Sequence, residues 1–572
     1  MWPRQKQVQE WVILIYRART SARDLKSGVL LLLVLVSAII LDGCAKIVPL
    51  NVSFAQSAST VQAYDFVEIT ASVLWPRAKN PFTDAALGGW FESADGSKRW
   101  PVEGFCDAGD GSVFRIRFMP PATGDYRYFV EYRQNGTSKT STGKFHASDG
   151  HRRGPIRIDP QYRWHFIWEG TGEHYFFNGT TAFWLMGWKD DNVIQSAIER
   201  LHKLKINRLR VTIAGRSNLF YGEPVMNGPN WTLFITPWPA EHAEDIFHPG
   251  FDYQRFDVSY WQKLDRALRY ARDRDMIISL VLDMNDGRAH PEAGSADEYR
   301  FIHYAIDRFG AYSNITWDLG DDLDGYRGRW WTHHTGTLIE NWDPYHHLAT
   351  SHPLRNIHQD RTSDWFGFTS FQEWWTNQHS FMLSERKEQE ETGRIIPQTN
   401  EEYGYEDSLV TWEPPWPGES ADILRRTAWG IAMAGGYQTT GETAKRGTNV
   451  WPDTGGGWMN GRGDDSMTML KGYEHMVDFF TSFDWWKMAP HDELVTEGDY
   501  CLAESGNTYA IYLPKGGSVH VKLQPGSYTA SWFNAMTGEW INLRNIQVGT
   551  SWTSPLSPGA GDWALLLRRV SV

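Results

Sequence analysis

At 572 residues the chain is too long for one hydrophobic core, so several domains are expected. A formal net charge of −13 argues against nucleic acid or an anionic membrane surface as partner. Cys44, Cys106 and Cys501 are the only cysteines, without metal-ligand spacing; this excludes a disulfide framework and predicts Cys106 and Cys501 as free, buried thiols.

Residues 1–27 carry several Lys and Arg, and Val29 to Leu41 is almost wholly apolar. That run is short for a membrane span and suits the h-region of a signal sequence. Leu41-Asp42-Gly43-Cys44 follows and resembles a lipobox, with Asp42 unusual at its place. Residues 1–44 are thus expected as an export segment. It would leave the rest periplasmic, anchored to the outer membrane or extracellular, with membrane contact only through a lipid on Cys44 or an uncleaved signal. Residues 45–60 are small and polar and read as a linker.

From 61 to 150 the pattern is β. Phe66–Val73, Val113–Phe118 and Tyr126–Tyr132 alternate apolar and polar residues, with Gly, Pro and Asp between them. Half-buried strands without helices indicate a β-sandwich. From 151 to 493 strands and helices alternate. Tyr175–Thr180, Ile206–Val211, Met276–Leu282 and Asn314–Leu319 are the first four strand candidates. His347–Thr350 and Trp365–Phe368 are weaker fifth and sixth candidates, a seventh ends at Glu401-Glu402, and Gly436–Thr440 is the eighth. Helical spacing marks 192–204, 261–272, 299–309 and 422–434. The count and order predict a parallel (β/α)8 barrel. Strand-like runs resume at Tyr509–Leu513, Ser518–Leu523, Tyr528–Phe533 and Asp562–Leu567, so 494–572 reads as a second β-sandwich. The fold class is multidomain, a central TIM barrel flanked by two sandwiches.

The strand-four stretch breaks at Gly320 into Asp321-Asp322, and strand seven ends in Glu401-Glu402. Acids delivered by two strand ends to the active face of a barrel suit glycoside hydrolysis. Retaining enzymes hold their carboxyls roughly 5–5.5 Å apart and inverting ones roughly 6.5–9.5 Å. The acid needs a raised pKa, which a neighbouring negative charge supplies, and the nucleophile must stay ionised. Arg210, at the end of strand two, is the candidate cation beside it. Adjacent strand residues face opposite ways, so one of Glu401 and Glu402 is expected to face the lumen, with Glu402 favoured. Trp184, Trp188, Trp374 and Trp375 follow strand ends and are candidate sugar-stacking residues. Packing inside domain cores is the plainer account of most of the 30 tryptophans. His352 and Gln372 could hold hydroxyls, Asp283 could line the cleft, and Glu442 and Glu406 serve the site or are plain loop charges.

Trp317-Asp318-Leu319-Gly320-Asp321-Asp322 resembles the strand-four motif of clan A glycoside hydrolases, closest to the apiosidase-like branch, whose acid/base is Asp. Asn400–Glu406 is similar to that branch's nucleophile region, and Trp429–Tyr437 to its strand-eight run. Trp532-Phe533-Asn534 and Thr537–Trp540 look like the collagen-binding-type module that follows such barrels. The resemblance implies Asp322 as acid/base, Glu402 as nucleophile, a poly- or oligosaccharide substrate and no cofactor. Asp321 departs from it, standing where clan A enzymes usually have an Asn that contacts the sugar 2-hydroxyl. Other readings are a non-catalytic glycan-binding protein with a degenerate barrel, and a cation site at Asp321, Asp322 and Asp324. A polysaccharide lyase would need a Tyr or His base beside a charge-neutralising cation, and no clear set is present.

Overall fold

The computed structural model describes residues 50–213, 228–245, 248–284, 290–354, 361–374, 377–406, 419–442, 457–463 and 467–570. The expected export segment and Cys44 lie outside the described residues. Among those described, no helix is long and apolar enough to cross a membrane.

The front domain is two sheets. One runs in the order Asn51–Gln56, Val67–Leu74, Val113–Phe118, Phe105–Cys106. The other runs Thr60–Gln62, Thr137–Ser148, Gly124–Gln134, Ala85–Ser93, Arg99–Glu103. The period-two alternation of Val67–Leu74 puts Val67, Ile69, Ala71 and Val73 in the core. The expected linker is corrected in one respect, since residues 51–56 are already a strand. Cys106 is buried here and Cys501 in the rear domain, both as free thiols.

Eight parallel strands form the central sheet. They are Asn178–Thr181 (β1), Arg208–Thr212 (β2), Ile277–Val281 (β3), Ile315–Asp318 (β4), Ala349–Thr350 (β5), Phe371–Gln372 (β6), Thr399–Glu402 (β7) and Tyr437–Thr440 (β8). The lateral order is β5-β4-β3-β2-β1-β8-β7-β6, so the first strand pairs with the last, as a barrel demands. The seam between β5 and β6 is bridged by residues 366–368. Phe366 bridges to Ala349, Gly367 N donates to the Ala349 carbonyl (2.8 Å), and Thr350 Oγ1 donates to the Phe368 carbonyl (2.7 Å). Trp365–Phe368, expected as strand six, is therefore this bridging segment, and the strand itself follows it.

The apolar run expected as strand one also shifts. His174–Tyr175 belongs to a small antiparallel sheet with Ile156–Ile158 and Phe166–Trp168. Phe177 stands before β1 and packs with Phe166, Phe368 and Tyr437, filling the N-terminal end of the barrel with rings.

The helices are Asp191–Lys203 (α1), Val258–Arg272 (α2), Ala296–Phe309 (α3), Arg329–Trp342 (α4), Gln378–Thr392 (α5), Ala421–Met433 (α6) and Met469–Phe480 (α7). Side chains of Asp190, Asp257, Ser295, Asn377 and Ser420 accept backbone N–H bonds at the starts of α1, α2, α3, α5 and α6, and so fix where those helices begin.

Buried charge locks the flanking domains to the barrel. Arg117 of the front sandwich bonds Asp265 on α2 (2.7 Å), and Arg308 on α3 returns to Asp107 (2.9 Å). At the rear, Arg425 on α6 makes a two-pronged pair with Asp562 (2.6 and 3.1 Å), which also accepts the Tyr512 hydroxyl (2.7 Å). The Trp429 ring stacks on Tyr512 beside it (4.9 Å, 17°).

Candidate active site

Strand β2 has two arginines two residues apart, so both point into the barrel. Arg208 and Arg210 are wholly buried. Arg208 lies over the Phe177 ring (4.6 Å) and pairs with Glu401 (2.7 Å). Arg210, one layer higher, reaches Asp318 (3.0 Å), Asp321 (2.9 Å) and Glu401 (3.0 Å). Burial disfavours both cations. For Arg210 the carboxylates around it win, and its guanidinium is held above the ordinary arginine range.

At the end of β4 the chain turns through Gly320. A β-carbon there would lie 2.7 Å from the Leu323 side chain, 2.7 Å from the Tyr326 hydroxyl and 3.0 Å from the Asp283 carbonyl, so only glycine passes. Asp321 N then donates to that carbonyl (3.1 Å). Asp322 takes the left-handed conformation (φ 52°, ψ 37°), one Asp tolerates better than most residues.

Strand β7 breaks the alternation expected of it. Phe371 pairs with Asn400, but Gln372 pairs with Glu402, so β7 carries one extra residue against β6. This bulge brings both glutamates inward and corrects the expectation that only one faces the lumen. Glu401 lies deep, on the two arginines. Glu402 sits above it and accepts a hydrogen bond from Gln372 Nε2 (2.9 Å); Tyr405 and Trp374 further favour its charged form.

His352, after β5, is wholly buried. Its Nδ1 lies 2.9 Å from Ser370 Oγ, and its Nε2 stands 3.6 Å from Asp321 and 3.7 Å from Glu402. One ligand atom from each of Asp321, His352 and Glu402 falls within 4.8 Å of the others. Among the described residues this is the group able to hold a cation, and it differs from the acidic trio expected from sequence. The Arg210 guanidinium already supplies positive charge there.

Burial sets the protonation. It pushes Asp318 up to about 7 against the pull of Arg210, and also raises Asp321 and Glu402. It lowers His352 to about 4, which leaves that ring neutral at physiological pH. Two guanidiniums thus face Asp318, Asp321, Glu401 and Glu402, and full ionisation would leave buried excess negative charge. The site keeps a proton near neutrality.

The remaining expected residues divide clearly. Asp283 is buried, holds Arg327 (3.2 Å) and lies well above its ordinary pKa through burial; it supports the β4 turn rather than presenting its carboxyl outward. Trp188 is 1% exposed with its indole N–H on the Asn460 carbonyl, and Trp184 is 4% exposed against Trp458. Both rings, expected to stack on sugar, are buried among neighbouring side chains. Glu442 is 2% exposed and pairs with Arg200 on α1 (2.5 Å). Glu406 accepts the N–H groups of Thr468 and Met469 (each 3.1 Å) at the start of α7. Trp375 lies outside the described residues. Sequence reasoning missed Arg208, Asp318, Ser370 and Tyr405; the paired inward arginines were the one signal that pointed to buried counter-charges.

Comparisons with known proteins fall on the same architecture. Residues 221–443 match the family described as "Apiosidase-like, catalytic domain". Residues 60–133 match "Domain of unknown function (DUF5060)", and 490–568 match "Putative collagen-binding domain of a collagenase". A "putative glycoside hydrolase" from Bacteroides vulgatus ATCC 8482 superposes with a TM-score of 0.73 at 17% identity, over 90% of this chain and 100% of that one. A glycoside hydrolase family 5 protein from the same strain gives 0.57 at 15% identity, over 73% and 93%. A third structure, described as "Glycoside hydrolase", gives 0.58 at 15%, over 73% and 98%. No curated protein matches the chain. Residues 221–443 of the barrel thus resemble an apiosidase-like catalytic domain, and the fold is shared with solved glycoside hydrolases.

Proposed function

We propose that this apiosidase-like catalytic domain belongs to an exported, retaining glycoside hydrolase acting on a poly- or oligosaccharide. Glu402 is the nucleophile and Asp322 the acid/base. The observation that carries the reading is the convergence of the β4 and β7 ends, which gathers Asp321 and Glu402 within 4.8 Å beside Arg210. A spacing that close would suit retention for a pair of Asp321 and Glu402, and Asp322 stands next to Asp321 in the chain.

In this mechanism Glu402 attacks the anomeric carbon while Asp322 protonates the departing oxygen, and Asp322 then takes a proton from the water that releases the sugar. Gln372, Tyr405 and Trp374 hold the Glu402 charge in place. Asp322 suits the acid role because it is half-buried and follows a second carboxylate in the chain. Asp321 is buried and tied to Arg210, which opposes its neutral form. Its proximity to Glu402 nevertheless favours a second reading in which Asp321 is the acid/base. Export rests on the amino-terminal sequence.

A panel of plant and bacterial cell-wall polysaccharides, scored for released sugars, supplies the substrate. Glu402→Gln and Asp322→Asn should each lose at least about 1000-fold in kcat with folding intact, and azide should restore turnover to Asp322→Asn. Full loss in Asp321→Asn with Asp322→Asn active would establish the second reading. Glycan affinity without product across the panel would replace hydrolysis by simple binding.

A further inference from the structure

We propose that Ser370 is a positioning residue that locks His352 in the Nδ1–H form, so that its other ring nitrogen offers a lone pair to Asp321 and Glu402. The inference rests on the reading of Glu402 as nucleophile and goes beyond it. A serine hydroxyl has one proton. Ser370 Oγ donates it to Glu401 Oε2 (3.0 Å). Both Glu401 oxygens accept from arginine, Oε1 from Arg208 and Oε2 from Arg210 (2.7 and 3.0 Å), so the hydroxyl is the donor to Glu401. Ser370 Oγ must then accept from His352 Nδ1, 2.9 Å away. In a neutral imidazole the remaining nitrogen carries no proton.

Among the described residues His352 Nε2 makes no hydrogen bond; it is wholly buried and faces Asp321 Oδ1 (3.6 Å) and Glu402 Oε2 (3.7 Å). Three acceptors converge with no donor among them. A proton retained on one of the two carboxyls relieves that clash. The arginine layer at the barrel centre thereby reaches the nucleophile through Glu401, Ser370 and His352 in turn. The charged and titratable groups facing this pair are Arg208 and Arg210 from β2, Asp321 after β4, Glu401 and Glu402 from β7, and Tyr405 beyond it. Burial, the largest effect, disfavours a charged imidazole together with Arg210 and Arg208, against the pull of Asp321 and Glu401.

Nitrogen-15 NMR of histidine-labelled full-length protein, with His352→Gln to identify the signal, reads the form of the ring without any substrate. The wild type should show protonated Nδ1 and bare Nε2. Ser370→Ala frees the ring to turn its proton toward the carboxylates, which favours their charged forms. The acid limb of kcat/KM should then move about one pH unit lower, and Ser370→Thr, which keeps the hydroxyl, should restore it. A protonated Nε2 in the wild type, or an acid limb unmoved in Ser370→Ala, overturns the proposal. Activity surviving in Glu402→Gln would instead defeat the nucleophile assignment, and the NMR result would stand apart from it.

Discussion

Arg210 is where the charge balance of the barrel can be tested. It contacts Asp318, Asp321 and Glu401 at 2.9–3.0 Å and is wholly buried with them. Arg210→Met keeps much of the volume and removes the cation. Breaking a buried pair costs about 3–5 kcal/mol, because the partner is left charged and dry. At about 1.4 °C per kcal/mol for a barrel of roughly 340 residues, the melting temperature should fall by about 4–7 °C. The dependence on pH has a definite sign. Asp318 sits near 7 in the folded protein and near its ordinary value when unfolded, so the folded state binds the extra proton. Stability from this group is full in acid and is lost as pH rises through that window, by roughly 4 kcal/mol. Without Arg210 the carboxyls titrate higher still, so the gap between wild type and variant should widen from pH 5 to pH 8.5. Adding Asp318→Asn to Arg210→Met removes the stranded charge and should recover more than about 1 kcal/mol relative to additivity. Scanning fluorimetry of the four proteins across pH decides it. A drop below about 2 °C, a gap that narrows with pH, or strict additivity would refute this account.

Other residues give independent checks. Glu442→Gln should lower the melting temperature by breaking the pair with Arg200 yet leave KM unchanged, whereas a large rise in KM would mark it as a substrate contact. Gly441→Ala should lower activity and cost about 1–3 kcal/mol in denaturant unfolding, since its β-carbon would lie 2.3 Å from Trp458 and 2.7 Å from the Tyr405 ring. Asp562→Ala removes the buried partner of Arg425, leaving it only the half-exposed Asp422, and should loosen the rear sandwich by about 1–3 kcal/mol, seen as new limited-proteolysis cleavage between barrel and sandwich. On the proposed reading Glu402 must be ionised to attack; since burial raises it, the acid limb of wild-type kcat/KM should lie above the ordinary glutamate range, and activity should fall as pH drops through it.

The parts of the fold that were legible are those whose apolar period is regular. α1, α2, α3 and α6 bury clean stripes, such as Ile194, Ala197, Ile198 and Leu201 in α1. α5 buries Gln378, His379, Met382 and Gln389, so one apolar residue marks its inner face and no hydrophobic period exists to read. β5 and β6 are two residues each in the paired sheet, too short for alternation to register. The run Tyr175-Phe176-Phe177 was legible as buried and misplaced as strand one, because rings that fill the barrel floor and rings that line a strand have the same composition.

The site shows why a rule that holds along a strand can fail at its end. Alternation assigns Glu401 and Glu402 to opposite faces, and in an undistorted β7 one of them would leave the lumen. Arg208 and Arg210 make that arrangement costly, since two guanidiniums buried in one interior need ionised partners. Asp318 alone, with its proton held up to about 7, cannot balance them. The bulge at β7 turns Glu401 onto both arginines and leaves Glu402 above, facing Asp321 and His352. The extra residue thus separates two duties that one glutamate could not combine. Glu401 is committed to its ion pairs with both arginines, which leaves the Glu402 carboxyl to Gln372, Asp321 and His352.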